Sequence, residues 1–306
     1  MSSSSWGKGI FFTILAFILW GILPLYWKLL ISVADLHILA FRIILSLLLV
    51  ALLLTIQKNF TWLTVFKDRK KTGLLILTAL TISANWGLYI WAVNNGHTIE
   101  VSLGYYINPL ISIVFGLVFF REKLKPLQWA AFGLAALGVL ILTVLSGKFP
   151  WISLSLALTF GFYGLLKKKS PLSSLESLGA ETLASLPLGL FLLIFGFQPG
   201  GNSGVHIVPG GKALSYLAEL PIHTGIILAF CGLVTAFPLY CFARGTKTLP
   251  LSTVGFIQFF SPTIQFLLGY FLFAEYFPAH YFIAFICIWL AVILYIMNLS
   301  TARPQT

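Results

Sequence analysis

Long apolar stretches alternate with short polar segments along the whole chain. A helix needs about 20 apolar residues to cross the hydrocarbon core of a bilayer, and the stretches match that length. They predict ten spans, at residues 9–27, 36–56, 72–93, 99–120, 126–146, 149–166, 174–197, 223–243, 249–273 and 278–298. We therefore expect an all-α membrane protein with ten transmembrane helices.

The fourth and the ninth predicted spans carry the same pattern. The stretch LGYYINPLISIVFGLVFFRE, Leu103–Glu122, returns 153 residues later as FIQFFSPTIQFLLGYFLFAE, Phe256–Glu275. The identical pairs are Pro109/Pro262, Ile111/Ile264, Gly116/Gly269, Phe120/Phe273 and Glu122/Glu275. Because an odd number of spans in each half turns the second copy over, the pattern predicts two inverted-topology five-helix repeats, residues 1–147 and 148–306.

Each copy also carries one polar stripe, spaced i, i+3 and i+7 along a single helix face. The stripes consist of Tyr105, Asn108 and Ser112 in the first copy and Gln258, Ser261 and Gln265 in the second. Two interpretations are open. The stripes line one substrate site at the middle of the membrane, or they only join helices through hydrogen bonds. We favour the substrate site, because the polar positions match as well as the apolar ones.

Five further side chains extend this candidate lining: Trp20, Asn85, Tyr89, Tyr163 and Tyr240. Asn85 and Tyr89 share a helix face, and Tyr240 repeats Tyr89 in the second half. An asparagine within a span needs a polar partner, so Asn85 faces either a neighbouring helix or a cavity. Trp20 lies close to Pro24, where a helix break would open space beside it. Tyr26 and Trp27 are instead typical of the interfacial aromatic belt.

Two charges lie inside predicted spans at matched positions of the second and seventh spans. They are Arg42 and Glu181. Intramembrane charges are costly and usually functional, so both are candidates for coupling or gating. A snorkelling arginine is the alternative for Arg42. Glu181 is the carboxylate whose depth best suits a proton-coupled step.

Composition supports a membrane protein and fixes its orientation. Hydrophobic residues make up 59% of the 306 and charged residues 9%, with a mean hydropathy of +0.97. With both termini on one side, that side collects fifteen Lys and Arg against three opposite. This bias predicts cytoplasmic termini and explains the net charge of +11 without nucleic acid. The glycine-rich stretch 198–222 is expected to be a flexible connector, with a lid as the alternative.

The sequence lacks the motifs of common enzyme chemistry. We find no metal-ligand spacing, glycine-rich phosphate loop or converging catalytic set, and the three cysteines lie in apolar runs. We therefore expect no catalytic residues, cofactor or metal. Partners would be a small-molecule substrate and the lipid bilayer, with the protein a monomer or homodimer. The alternative is a non-transporting membrane protein, either a scaffold or an embedded enzyme.

Four strings give the chain a resemblance to a known family: WGILPLYWK, NWGLYIWAVNNGHTIEVSLGYYINPL, FGFYGLLKK and FIQFFSPTIQFLLGYF. They resemble the RarD subfamily of the EamA-type transporters, in the drug/metabolite transporter superfamily. The resemblance implies ten helices in two inverted halves. It also implies a multi-pass permease of the bacterial inner membrane that carries small metabolites or drugs. The family often has a histidine before the span-2 arginine, where this chain has Phe41.

Overall fold

The computed structural model describes residues 3–30, 32–94, 97–145, 149–194, 197–200, 204–207, 220–272 and 279–301, and these are almost entirely helical. The first part contains α1 (Ser3–Lys28), α2 (Asp35–Ile56), a 3₁₀ helix (Thr61–Lys67), α3 (Arg69–Asn94), α4 (Thr98–Phe120), α5 (Pro126–Leu145), α6 (Trp151–Lys169) and α7 (Ser174–Ile194). The second part contains β1 (Phe197–Gly200), β2 (Gly204–Ile207), α8 (Ile222–Ala229), α9 (Cys231–Thr248), α10 (Leu251–Gln258), α11 (Phe260–Leu267), a π turn (Leu268–Leu272) and α12 (Ala279–Thr301).

The prediction of a helical, multi-pass membrane protein is confirmed. Within the described residues, eight helical stretches are long and apolar enough to cross a membrane. They are Ser5–Lys28, Leu36–Ile56, Arg69–Tyr89, Glu100–Phe120, Pro126–Leu145, Ser174–Ile194, Ile222–Thr248 and Leu251–Leu272. The apolar part of α12, Tyr281–Met297, is shorter. The number of ten spans therefore stays a prediction.

Two short strands were not predicted from the sequence. β1 pairs with β2 in antiparallel register, with Phe197 opposite Ile207 and Gly200 opposite Gly204. They lie in the stretch that we expected to be a flexible connector. Its start is therefore a β-hairpin, while residues 201–203 and 208–219 lie outside the described part of the chain.

The ninth predicted span, residues 249–273, is broken near its proline. Pro262 has no N–H to donate to the carbonyl of Gln258, four residues earlier. The helix ends at Gln258 and resumes as α11 at Phe260. In the first copy, by contrast, α4 continues through Pro109.

The helices form two compact units, each built from parts of both predicted halves. The first unit comprises Met1–Ile22, Gly87–Lys168 and Cys241–Thr306. The second comprises Leu23–Trp86 and Lys169–Tyr240.

Small residues bring helices close together in the first unit. α5 packs along α12, and Ala131, Ala135, Ala284 and Ala291 are fully buried. A Cβ on Gly138 would lie 2.9 Å from the carbonyl oxygen of Ala284. α4 packs against α10 in the same way, at Gly255. Close backbone approach of this kind stabilises helix pairs where lipid removes the hydrophobic driving force.

The second unit is built around the packing of α2 against α7. A Cβ on Gly179 would lie 3.0 Å from Leu54, and one on Gly189 would lie 3.1 Å from Ile43. α9 also approaches α2 closely, because a Cβ on Gly232 would lie 2.6 Å from the carbonyl of Leu45. Both contacts depend on glycine at the interface.

Candidate functional site

The two polar stripes meet in the first unit, where α4 packs against α10 and α11. Ser112 Oγ donates a hydrogen bond to Gln258 Oε1 at 3.1 Å, and both side chains are buried. Gln265 Nε2 lies 3.2 Å from the backbone oxygen of Trp20 and 3.5 Å from Ser261 Oγ. Gln258 is the repeat equivalent of Tyr105 and not of Ser112. Ser112 and Gln258 nevertheless meet because α4 and α10 run in opposite directions. Part of each stripe thus joins helices.

Asn108 differs from the other stripe residues. Its side chain is 4% exposed, and its Oδ1 accepts no hydrogen bond. It lies one helical turn from Ser112, on the same face of α4. A buried acceptor without a donor costs about 1–3 kcal/mol, so it calls for an explanation such as a ligand or an ordered water.

An aromatic cluster lies in the same unit and contains two of the predicted residues. Trp20 contacts Phe17, Phe160 and Phe242 with ring centroids 5.4–5.5 Å apart. Tyr163 stacks on Phe242 at 5.8 Å with an interplanar angle of 12°. Phe242, which links them, escaped the sequence analysis because an isolated phenylalanine in an apolar span carries no signal.

Tyr89 and Tyr105 also come together, with ring centroids 6.1 Å apart. Tyr106, which was not predicted, donates its hydroxyl to the backbone oxygen of Pro262 at 3.1 Å. Tyr106 is 2% exposed. It lies beside the stripe rather than on it, which is why periodicity alone did not identify it.

The remaining four predicted residues belong to the second unit. Asn85 and Tyr240 are partly buried there. Arg42 lies between two indoles, with its guanidinium carbon 4.9 Å from the Trp27 ring centroid and 4.4 Å from that of Trp86. Its Nε donates to Thr235 Oγ1 at 3.1 Å. Trp27, which we assigned to the interface alone, is therefore also an arginine contact.

Glu181 is 3% exposed and accepts a hydrogen bond from Ser177 Oγ at 2.6 Å. Ser170 Oγ in turn donates to Ser177 Oγ at 3.3 Å. A hydroxyl relay thus connects this carboxylate to the start of α7.

A carboxylate that the sequence analysis left without a role joins three helices in the first unit. Glu122, just after α4, accepts the backbone N–H of Leu251 at 2.6 Å and that of Ser252 at 2.8 Å, one on each oxygen. Lys168 Nζ, on α6, lies 3.1 Å from the same carboxylate. We call Glu122, Lys168 and these two N–H groups the Glu122 clamp. The identity of Glu122 and Glu275 in the repeat was a signal for it.

Local backbone geometry makes the Glu122 clamp possible. Arg121 has a left-handed conformation, with φ 52°, and this turns the chain back towards the last turns of α4. Gly116 leaves room, because a Cβ there would lie 2.5 Å from Glu122 Oε2. Burial alone would raise the pKa of Glu122, but the hydrogen bonds from Ser252 and Leu251 and the charge of Lys168 outweigh it and lower that pKa.

Comparison with known proteins identifies the family. The EamA-like transporter family matches residues 7–144. The chain is 41% identical over 292 residues to "Uncharacterized transporter YojE" of Bacillus subtilis, covering 94% of this chain and 93% of the relative. It is 34% identical to "Protein RarD" of Escherichia coli, covering 100% and 99%. The chain belongs to the RarD subfamily of the EamA-type transporters.

Membership of this family makes the protein a membrane transporter, and the name of the Bacillus subtilis relative also calls that protein a transporter. A solved crystal structure also superposes with a TM-score of 0.68 at 16% identity, covering 95% of this chain and 98% of the other. At that identity it shows the fold alone. Among the described residues of this RarD-subfamily chain, no group of three or more His, Cys, Asp and Glu side chains could hold a metal ion.

Proposed function

We propose that the protein is a bacterial inner-membrane secondary transporter that moves a small organic molecule. Transport proceeds by alternating access through a central cavity between two inverted repeats. The observation that carries this proposal is the buried, unpaired amide oxygen of Asn108 in the middle of a repeated polar stripe. A substrate that donates a hydrogen bond would satisfy this acceptor, and this is our reason for preferring a transporter to a scaffold.

Helix pairing supports the inverted repeat. Within the two units, α2 packs on α7, α4 on α10 and α5 on α12. These are the second and seventh, fourth and ninth, and fifth and tenth predicted spans, so in three of the five predicted pairs a helix packs on its repeat equivalent. A pseudo-two-fold axis in the membrane plane produces this arrangement.

Within the first unit, the stripe divides into supporting and binding positions. Ser112 and Gln258 satisfy each other and hold α4 against α10. Asn108 and Tyr105 are the proposed binding positions, with Trp20 and Tyr163 supplying aromatic walls, while Gln265 is held by Trp20 and Ser261. Apolar and aromatic walls with a few orienting polar groups are typical of small-molecule sites. The substrate therefore carries at least one N–H or O–H donor.

Replacing Asn108 by leucine tests this assignment. The change removes a buried unpaired acceptor, so we expect the melting temperature to stay the same or rise. Substrate affinity should fall at least about tenfold, the effect of losing one hydrogen bond of about 1.4 kcal/mol. The measurement is thermal shift on purified protein, first with a panel of amino acids, nucleobases and chloramphenicol to find a stabilising ligand.

Ser112→Ala is the matched control one turn along α4. It removes the bond to Gln258, so it should lower stability by about 1 kcal/mol while affecting affinity less than Asn108→Leu. Unchanged affinity in Asn108→Leu would place the substrate elsewhere. Absence of both uptake and efflux in vesicles for every ligand that binds would instead refute transport itself.

Arg42 and Glu181 are the proposed coupling or gating pair. The indoles on both sides of Arg42 and the hydroxyl relay to Glu181 support specific roles for these charges, since both arrangements fix the side chains within a span. Asn85 and Tyr240, in the second unit, stay predicted substrate-binding positions. The alternatives are a snorkelling arginine for Arg42, a structural role for Glu181 and interhelical hydrogen bonding for Asn85.

Reporter fusions test the inverted topology. Fusions after Lys71, Lys125 and Lys169 should report a cytoplasmic location, and fusions at Lys148 and Asn202 an external one, because positive loops stay inside. Alkaline phosphatase and green fluorescent protein activities measure the two locations. A cytoplasmic signal at Asn202 would be incompatible with inverted halves.

A further inference from the structure

Residues 58–71 join α2 to the first turn of α3 and have a defined, hydrogen-bonded structure in the second unit. Lys58 has φ 51°, and the N–H groups of Lys58 and Asn59 bond back to Thr55 and Leu54. This is the Schellman pattern that ends helices, here with lysine in the position that glycine usually takes. The chain is thereby directed into the 3₁₀ helix Thr61–Lys67.

Side-chain hydrogen bonds fix this segment to the start of α7. Glu176 Oε1 accepts from Asn59 Nδ2 and from Thr61 Oγ1, each at 2.9 Å. The other oxygen of Glu176 accepts the N–H of Ser173 at 2.8 Å. Thr72 Oγ1 donates to the carbonyl of Val65 at 3.1 Å and ties the far end to α3.

The 3₁₀ helix has one buried and one exposed apolar face. Trp62 and Val65 are 6% and 4% exposed, and Trp62 lies against Gly179 of α7. On the other face, Phe60, Leu63 and Phe66 are 54%, 42% and 36% exposed. The anchored face leaves the helix no freedom to turn these three side chains inward. They are therefore available for contact with an apolar environment outside the protein.

Positive charge surrounds the exposed apolar face. Five basic residues, all exposed, lie within residues 58–71: Lys58, Lys67, Arg69, Lys70 and Lys71. Asp68 is the one acidic residue in that segment. The Asp68 carboxylate already has partners within the segment. Its Oδ1 accepts the N–H groups of Lys70 and Lys71, and its Oδ2 lies 3.5 Å from Lys71 Nζ. The segment therefore presents a net positive charge beside exposed aromatic rings.

We propose that residues 58–71 form a docking site for anionic phospholipid headgroups. Phe60, Leu63 and Phe66 insert at the boundary between headgroups and acyl chains, and the surrounding cations contact the phosphates. Amphipathic interfacial helices with basic flanks bind membranes in this way, each cation near an anionic surface contributing to the attraction. Charge complementarity selects anionic over zwitterionic lipid as the occupant. This inference is independent of the transported substrate.

The test compares the full-length protein in nanodiscs of phosphatidylcholine and of phosphatidylcholine with phosphatidylglycerol. We expect phosphatidylglycerol to raise the melting temperature by about 3–5 °C, because a ligand that binds only the folded state stabilises it. Lys67→Gln with Lys70→Gln should remove most of this shift. Lys123→Gln with Lys125→Gln, an exposed pair after α4 with the same charge, is the matched control and should retain it.

A second variant separates insertion from charge. Leu63→Gln with Phe66→Gln keeps every cation and should also reduce the phosphatidylglycerol shift. An equal loss in the control pair would show that the effect is general to basic residues, and would overturn the proposal. So would an equal stabilisation by inorganic phosphate or polyglutamate in phosphatidylcholine nanodiscs, which would assign the basic face to a soluble anion.

Discussion

Replacing Glu122 by glutamine is expected to destabilise the protein by about 3 kcal/mol at neutral pH. Each carboxylate oxygen accepts one backbone N–H of α10, and Lys168 pairs with the same group. Glutamine replaces one of these oxygens with an NH₂ group, which would face an N–H donor. The charge that attracts Lys168 is lost as well. Hydrogen bonds to charged groups contribute about 1.5–3 kcal/mol, so the sum of these losses is large.

The difference between wild type and Glu122→Gln should depend on pH. The folded-state pKa of Glu122 is lowered, so the stabilisation is present above the ordinary glutamate pKa of about 4.3 and is lost as pH falls through the folded-state pKa. Melting temperatures of the two proteins should converge as the pH falls below the ordinary glutamate pKa and through the lower folded-state pKa of Glu122. Wild type and variant melting in parallel over that range would contradict the Glu122 clamp.

The matched control is Asp68→Asn. Asp68 also accepts backbone N–H groups. The hydrogen bond from the N–H of Lys71 is the main cause that lowers its pKa, and the bond from Lys70 lowers it further. It is exposed, however, and joins only residues next to it in the chain. We expect a much smaller loss of stability than in Glu122→Gln, because exposed charge interactions are screened by solvent. A loss equal to that in Glu122→Gln would mean that joining separate helices is not what gives Glu122 its effect.

Replacing Gly255 by leucine is expected to have an effect as large, through packing alone. A Cβ on Gly255 would lie 2.7 Å from Ile113 Cγ1 and 2.7 Å from the carbonyl oxygen of Pro109. Neither neighbour can move easily, since Ile113 is fully buried and the other atom belongs to the backbone of α4. Overpacking typically costs about 1–3 kcal/mol and occasionally more. We expect a cost at the upper end, about 3 kcal/mol, measured by thermal unfolding in detergent.

Gly133→Leu on α5 provides the control. No atom lies within 4 Å of a Cβ at that position, so leucine should be accommodated with a change of less than about 0.5 kcal/mol. Gly255→Ala should fall between the two leucine variants. Equal stability of Gly255→Leu and Gly133→Leu would show that α4 and α10 do not pack closely in solution.

Periodicity and length predicted most of the helical structure. Spacing at i, i+3 and i+7 placed Asn108 and Ser112 on one face, and it could do so because helix geometry depends only on nearby residues. The contact of Ser112 with Gln258, 146 positions away, depends instead on how two helices run past each other. The sequence repeat indicated that the two stripes are related. It could not show which residue of α4 lies opposite which residue of α10.

Other features had no local signal. Glu122 caps a helix that begins 129 positions later, and a carboxylate after a span looks the same whether it faces solvent or a helix N-terminus. Trp86 was overlooked because a tryptophan in a span carries no mark of the cation that it contacts. The β-hairpin at Phe197 lies in a glycine-rich stretch, where composition favours a connector and says little about backbone pairing.

The packing of α2 on α7, α4 on α10 and α5 on α12 has a chemical consequence. An antiparallel dimer of two identical half-length chains would contain the same helix pairs. In such a symmetric interface, a residue near the two-fold axis contacts the same residue of the other chain. A charge there would face the same charge. A single chain is not restricted in this way. Arg42 on α2 and Glu181 on α7, which occupy matched positions of the sequence, carry opposite charges. A single chain can thus carry different side chains at matched positions of two packed helices.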